Sequence, residues 1–176
     1  RRLKKININF EVVEMMIFFW SSVAEREKVA EPYIISVADR DEMKLIYDAD
    51  FDDQAVRRVL SAISNRELLN GGSAKEKRFW NNNMWMMEDL GVMQAMIDPM
   101  KKLSFEGELA DITTKSGAEE VDLIFVPGTT ETYTIKDNKL IVNFFKIAVD
   151  IFGGTGEVTF NEKPFKEGIL EAIKEV

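Results

Sequence analysis

Six consecutive positions, Asp48-Ala49-Asp50-Phe51-Asp52-Asp53, hold four carboxylates. Alternating aspartates can gather around Ca²⁺ or Mg²⁺, because hard cations take several oxygen ligands at once. Asp48, Asp50 and Asp52 are therefore the candidate metal ligands of this chain. Their spacing matches the opening of an EF-hand loop, but the match stops there. The turn position that requires Gly holds Asp53, and the twelfth position, which requires a bidentate Glu, holds Val59. An EF-hand is excluded. The same carboxylates suit a simpler task. An Asp at a helix N-terminus accepts an orphan backbone N–H and meets the positive end of the helix dipole.

With Lys44–Tyr47 read as a strand, Asp48-Ala49-Asp50 resembles the opening motif of haloacid-dehalogenase-type phosphotransferases. The resemblance spans about six residues. It implies a Mg²⁺-dependent phosphate-handling enzyme in which Asp48 attacks phosphorus and Asp50 manages the leaving-group proton. Phe51 and Asp52 depart from the family pattern, which continues with Thr or Val and then a small or apolar residue. An added carboxylate beside the nucleophile also repels phosphate. Gly71-Gly72-Ser73-Ala74-Lys75 lacks the spacing of a phosphate loop, and Gly153-Gly154-Thr155-Gly156 reads as a hairpin turn.

The second chemical candidate is Arg78-Phe79-Trp80-Asn81-Asn82-Asn83-Met84-Trp85-Met86-Met87. Three Asn inside a helix are locally unfavourable, because the amide competes for its own backbone. On a helical wheel Asn83 falls with Phe79, Met86 and Leu90 on the buried face, so it needs a partner across the core or a polar pocket. Trp85 falls with Asn81, Asn82 and Asp89 on the other side. A Trp among polar groups suits a ligand or partner surface, since it can stack on a ring or anchor an interface. Met84, Met86, Met87, Met93, Met96 and Met100 would supply an adaptable apolar lining or ordinary core filling.

Two absences limit the chemistry. The chain has no His and no Cys. No imidazole can serve as general base, no thiolate as nucleophile, and no Cys or His zinc, haem or iron–sulfur site can form. No cofactor is expected. Net charge is −8, with 14 basic against 17 acidic residues over 1–100 and 9 against 14 over 101–176. Neither half offers a basic surface for nucleic acid. No apolar run approaches the ~20 residues that cross a bilayer. The chain reads as cytoplasmic, with no membrane partner.

The elements that must position these residues change character near residue 100. All nine Met and all three Trp lie at or before Met100. Asn9 reads as the cap of a first helix along Phe10, Val13, Met16, Ile17, Trp20 and Ala24, apolar nearly all round and ended by Pro32. Asp52 or Asp53 caps a second helix carrying Val56, Val59, Leu60, Ile63 and Leu68, stopped at Asn70-Gly71-Gly72. Ser73 to Glu76 reads as a capping box opening a third, with Pro99 closing the segment. Beyond Lys102 the period falls toward two. Ser104–Thr113, Val121–Val126, Glu131–Ile135, Lys139–Phe145 and Glu157–Phe160 read as strands, and Phe165, Ile169, Leu170 and Ile173 as the face of a final helix.

The expected fold is α+β: one domain over 1–176, a helical N-terminal half of about 1–100 packed on an antiparallel sheet, and a closing C-terminal helix. The expected function is non-enzymatic binding or interaction with self-association into a homo-oligomer, motivated by the greasy first helix and the Met–aromatic segment. Two alternatives stand beside it. One is the Mg²⁺ enzyme on Asp48 and Asp50. The other is a small-molecule binder with a pocket between the sheet and the third helix, using Trp85 or Asn83.

Overall fold

A computed structural model describes all 176 residues. The fold is α+β, with seven α-helices and two sheets. Backbone proximity divides the chain into two compact units. Unit one is 1–10, 94–125 and 131–176; unit two is 11–93 and 126–130. The helical unit thus begins after residue 10, since the first ten residues belong with the strands.

In unit two, α1 (Glu11–Ala24) is the spine. Val12, Val13, Met16, Phe19 and Trp20 are fully buried. Each such side chain contributes about 1.5–3 kcal/mol by leaving water. Pro32 does not end this helix. It sits in the first turn of α2 (Glu31–Ala38), where its missing N–H costs nothing. A single turn, α3 (Asp41–Lys44), is followed by a turn at Leu45 and Ile46, so Lys44–Tyr47 is not the strand that the phosphotransferase resemblance requires.

Next, α4 (Asp53–Asn65) buries Val56, Val59, Leu60 and Ile63. It stops well before the Asn70-Gly71-Gly72 signal. Arg66 takes a left-handed conformation (φ 56°), and the Glu67 N–H bonds back to the Ala62 carbonyl at 2.8 Å. Leu68 is therefore not on the buried stripe; it is 84% exposed. Ser73 then caps α5 (Ala74–Glu88) by accepting from the Glu76 N–H at 3.1 Å. The last helix of this stretch, α6 (Leu90–Lys101), starts in unit two, and Pro99 lies in its final turn instead of beyond it.

Unit one holds both sheets. The larger, in order β1-β2-β4-β3, contains β1 (Lys5–Asn9), β2 (Glu120–Val126), β3 (Tyr133–Lys136) and β4 (Lys139–Asn143). It is mixed, where a purely antiparallel sheet was expected. β1 lies parallel to β2, with Lys5 opposite Glu120 and Asn9 opposite Ile124. β3 and β4 form an antiparallel hairpin whose turn places Asp137 at φ 54°. Ser104–Thr113 is not a strand. It forms turns and a short 3₁₀ segment, Leu109–Asp111.

The smaller sheet, in order β5-β6-β7, is antiparallel: β5 (Ala148–Val149), β6 (Val158–Phe160) and β7 (Lys163–Pro164). It carries α7 (Phe165–Lys174), which packs on β6 and β7 and buries Phe165, Ile169 and Ile173. The approach is close. A Cβ on Gly168 would lie 2.1 Å from the Phe160 carbonyl oxygen, so only Gly fits there. No helix is long and apolar enough to cross a membrane.

Candidate functional site

The acidic segment folds as a tight turn feeding α4. The Asp48 and Phe51 backbones bond each other, and the Asp50 N–H donates to Asp48 Oδ1 at 2.8 Å. Phe51 is buried beneath the turn, 5.0 Å from the Phe79 ring and 5.9 Å from Tyr47. Asp52 is the N-cap of α4, its Oδ1 accepting from the Ala55 N–H at 2.9 Å. Asp48 pairs with Lys75 on α5. That hydrogen bond is the main cause holding the Asp48 carboxyl below the usual carboxylate range. The Ser73 hydroxyl donates to the Asp50 carbonyl at 2.5 Å, tying the turn to the start of α5. No group of three or more Asp or Glu side chains is gathered as for a metal ion.

Next to the turn, the Tyr47 hydroxyl donates to the Ala38 carbonyl at 2.6 Å. Burial pushes its pKa far up, and Asp53, Asp39 and Asp52 add to the effect. Tyr47 is thereby a neutral hydrogen-bond donor at every physiological pH.

The Asn–Trp segment divides by face. Asn83 is fully buried. It accepts from Trp20 Nε1–H at 2.9 Å and donates to the Phe79 carbonyl at 2.8 Å, joining α5 to α1. The need for a core partner is met within the fold. Asn82 donates to the carbonyls of Gly128 and Thr129, at 3.2 and 3.1 Å, and so pins segment 126–130 to α5. Asp89 caps α6, accepting from the Val92 N–H at 3.1 Å. Trp85 is 61% exposed.

A groove runs beside these residues, between α5 and the chain leaving α4. Its first hollow has a volume of about 580 Å³. Leu68 and Leu69 lie on one side; Ala74, Lys77, Arg78, Trp80 and Asn81 lie on α5. A second hollow of about 420 Å³ shares Leu68 and Trp80 with the first. Val23, Ala62, Ile63, Met84 and Met87 make it apolar, and Arg66, Glu67 and Glu88 supply its charges. Both volumes fall in the range of ligand clefts, about 300–1,000 Å³.

Of Trp85, Asn81, Asn82, Asn83 and Asp89, Asn81 alone lines this groove; Met84 and Met87, read as an adaptable apolar lining or core filling, line its second hollow. Trp85 and Asn83 line neither hollow. Trp80, Leu68, Leu69, Lys77 and Arg78 were missed as site residues. The available signal was the face of α5 that carries Trp80, Met84 and Met87, three to four residues apart. The other wall had no such signal, because Arg66 stops α4 without a glycine. No family model, curated protein or solved structure matches this chain.

Proposed function

We propose that the protein is a non-enzymatic binding and interaction protein, and that the groove beside α5 is its working surface. The observation that carries this reading is the apolar wall left in solvent. Leu68, 84% exposed, stands on the rim of a groove whose opposite wall is the half-buried Trp80. A large apolar side chain held against open apolar space is covered when a ligand or partner binds. Arg66, Lys77 and Arg78 make no ion pair, and they line the groove in a chain of net charge −8. Glu67 and Glu88 offset Arg66 in the second hollow, so it is the first, with Lys77 and Arg78 as its only charged residues, that favours an occupant with an apolar body and an acidic flank. Met84 and Met87 let the lining adapt to its shape.

Anilinonaphthalene sulfonate, an apolar anion, is the probe for the test. Wild type is expected to bind it saturably with enhanced emission. Leu68→Glu places a carboxylate on an exposed wall and should weaken binding about tenfold or more with an unchanged melting temperature. Unsaturable binding, or equal affinity for Leu68→Glu, would sink the proposal.

A further inference from the structure

The most exposed large apolar side chain of the molecule lies outside the groove, in the loop between β5 and β6. Ile151 is 56% exposed and Phe152 is 99% exposed. These side chains are not on a floppy tether. Asp150 accepts from the Gly153 N–H and the Thr155 hydroxyl, both at 2.7 Å, and the Asp150 N–H donates to the Glu157 carbonyl at 2.9 Å. The Glu157 N–H in turn donates to Thr155 Oγ1 at 3.2 Å. A Cβ on Gly153 would lie 2.4 Å from Asp150 Oδ2, so a glycine is needed for the Asp to close the turn. The backbone is thus organised around a carboxylate, with two large apolar residues held outward. Ordering them in advance lowers the entropic cost of docking.

The charges of the loop and of the groove's first hollow are opposite. Segment 147–162 carries Asp150, Glu157 and Glu162 and no Lys or Arg. The only charged residues lining the first hollow are Lys77 and Arg78, neither in an ion pair. The loop therefore has the composition that the groove selects for, an apolar anchor between carboxylates.

We infer that the occupant of the groove is this loop from a second copy of the chain, with Phe152 as the anchor seated against Leu68 and Trp80. The inference rests on the groove being a binding surface. The contact is heterologous: tip on one protomer, groove on the other. Such a contact closes by reciprocal exchange between two copies, closes as a ring, or runs on as a chain. The docked surface is small, so association is weak and belongs in the micromolar to millimolar range. Opposite charge makes it weaken as salt rises.

Sedimentation equilibrium across that concentration range tests the inference. Mass should rise with concentration for wild type. Phe152→Asp alters the tip and Leu68→Glu alters the groove, both at positions exposed enough to leave melting temperature unchanged. Each should weaken association by about tenfold or more. Because each variant keeps the half that the other lacks, an equimolar mixture should associate through one intact tip and one intact groove. A wild type that stays monomeric throughout, association indifferent to Phe152→Asp, or a mixture that stays dissociated would each overturn it. Failure is separable from failure of the groove itself. A monomeric wild type that still binds anilinonaphthalene sulfonate at Leu68 removes self-docking and leaves the binding surface standing.

Discussion

The acidic turn and α5 are neighbours in unit two, joined by the Ser73–Asp50 bond and the Lys75–Asp48 pair, and they use polar residues in opposite ways. In the turn, chemistry-bearing groups are spent locally. Asp52 caps a helix, and Asp48 faces a lysine and a backbone N–H. In α5, one face is committed inward through Asn83, while another face leaves Trp80, Lys77 and Arg78 on an open groove. A cluster of suggestive residue types says little until its partners are counted. An acidic run in which Asp52 caps a helix and Asp48 holds its own turn and a lysine amounts to a turn. An aromatic and two cations that lack partners amount to a surface.

Substitution of Asn83 should break the inward half of that comparison hardest. Asn83→Ala removes the Oδ1 acceptor of the Trp20 indole N–H inside the core and opens a cavity. The expected loss is about 2–4 kcal/mol of unfolding free energy, read by urea denaturation. Affinity of the folded variant for anilinonaphthalene sulfonate should be unchanged, since Asn83 lines neither hollow. A loss of affinity with stability intact would move the ligand surface onto the Asn83 side of α5.

Glu76 is next in size. Its side chain is nearly buried, and both oxygens accept from Arg58, from Nε at 2.8 Å and from Nη2 at 3.2 Å. The sequence pattern assigned Glu76 to a capping box, reaching back to the Ser73 N–H. Only the Ser73 side of that box is made, and the carboxylate goes to α4 instead. Glu76→Ala should cost about 1–3 kcal/mol, because charge-assisted hydrogen bonds are lost while Arg58, more than half exposed, recovers water. A cost under about 0.5 kcal/mol would place the pair with ordinary surface ion pairs.

What was readable in advance follows the range of the interaction. The Asp52 and Ser73 caps, the β3–β4 hairpin and the apolar face of α7 are set by residues within a few positions, and the sequence announces all of them. β1 was lost because its only hydrogen-bonded neighbour, β2, lies more than a hundred residues later and runs parallel, so no turn signal marks the pair. Asn9, read as a helix cap, is its last residue. Ser104–Thr113 alternates like a strand, yet Gly107 at φ 90° breaks it into turns. The groove was invisible for a similar reason. Leu68 fits the α4 stripe at helical spacing, and only a left-handed Arg66, which propensity disfavours, throws it out into solvent.

The turn contains its own internal contrast. Asp52→Ala removes a cap and should cost about 1 kcal/mol. Asp50 contributes its backbone to the turn and has no side-chain partner, so Asp50→Ala should fall within about 0.5 kcal/mol of wild type. Equal costs would mean that the two carboxylates act jointly, and would return attention to a shared cation there.

The smallest effect is the Asp48–Lys75 pair, and its pH dependence identifies it. The folded-state pKa of Asp48 is depressed, so the pair stabilises the fold fully above the ordinary carboxylate value of about 4, and the contribution is lost as pH falls through the lower folded value. Both side chains are about a third or more exposed, which limits the effect at neutral pH to about 0.5 kcal/mol. Lys75→Ala should therefore be slightly less stable than wild type near pH 7. The gap should narrow below pH of about 4 and shrink in molar salt, where screening shortens to about 3 Å. A gap that persisted unchanged into acid and high salt would assign the effect to the packing of the Lys75 stem rather than to its charge.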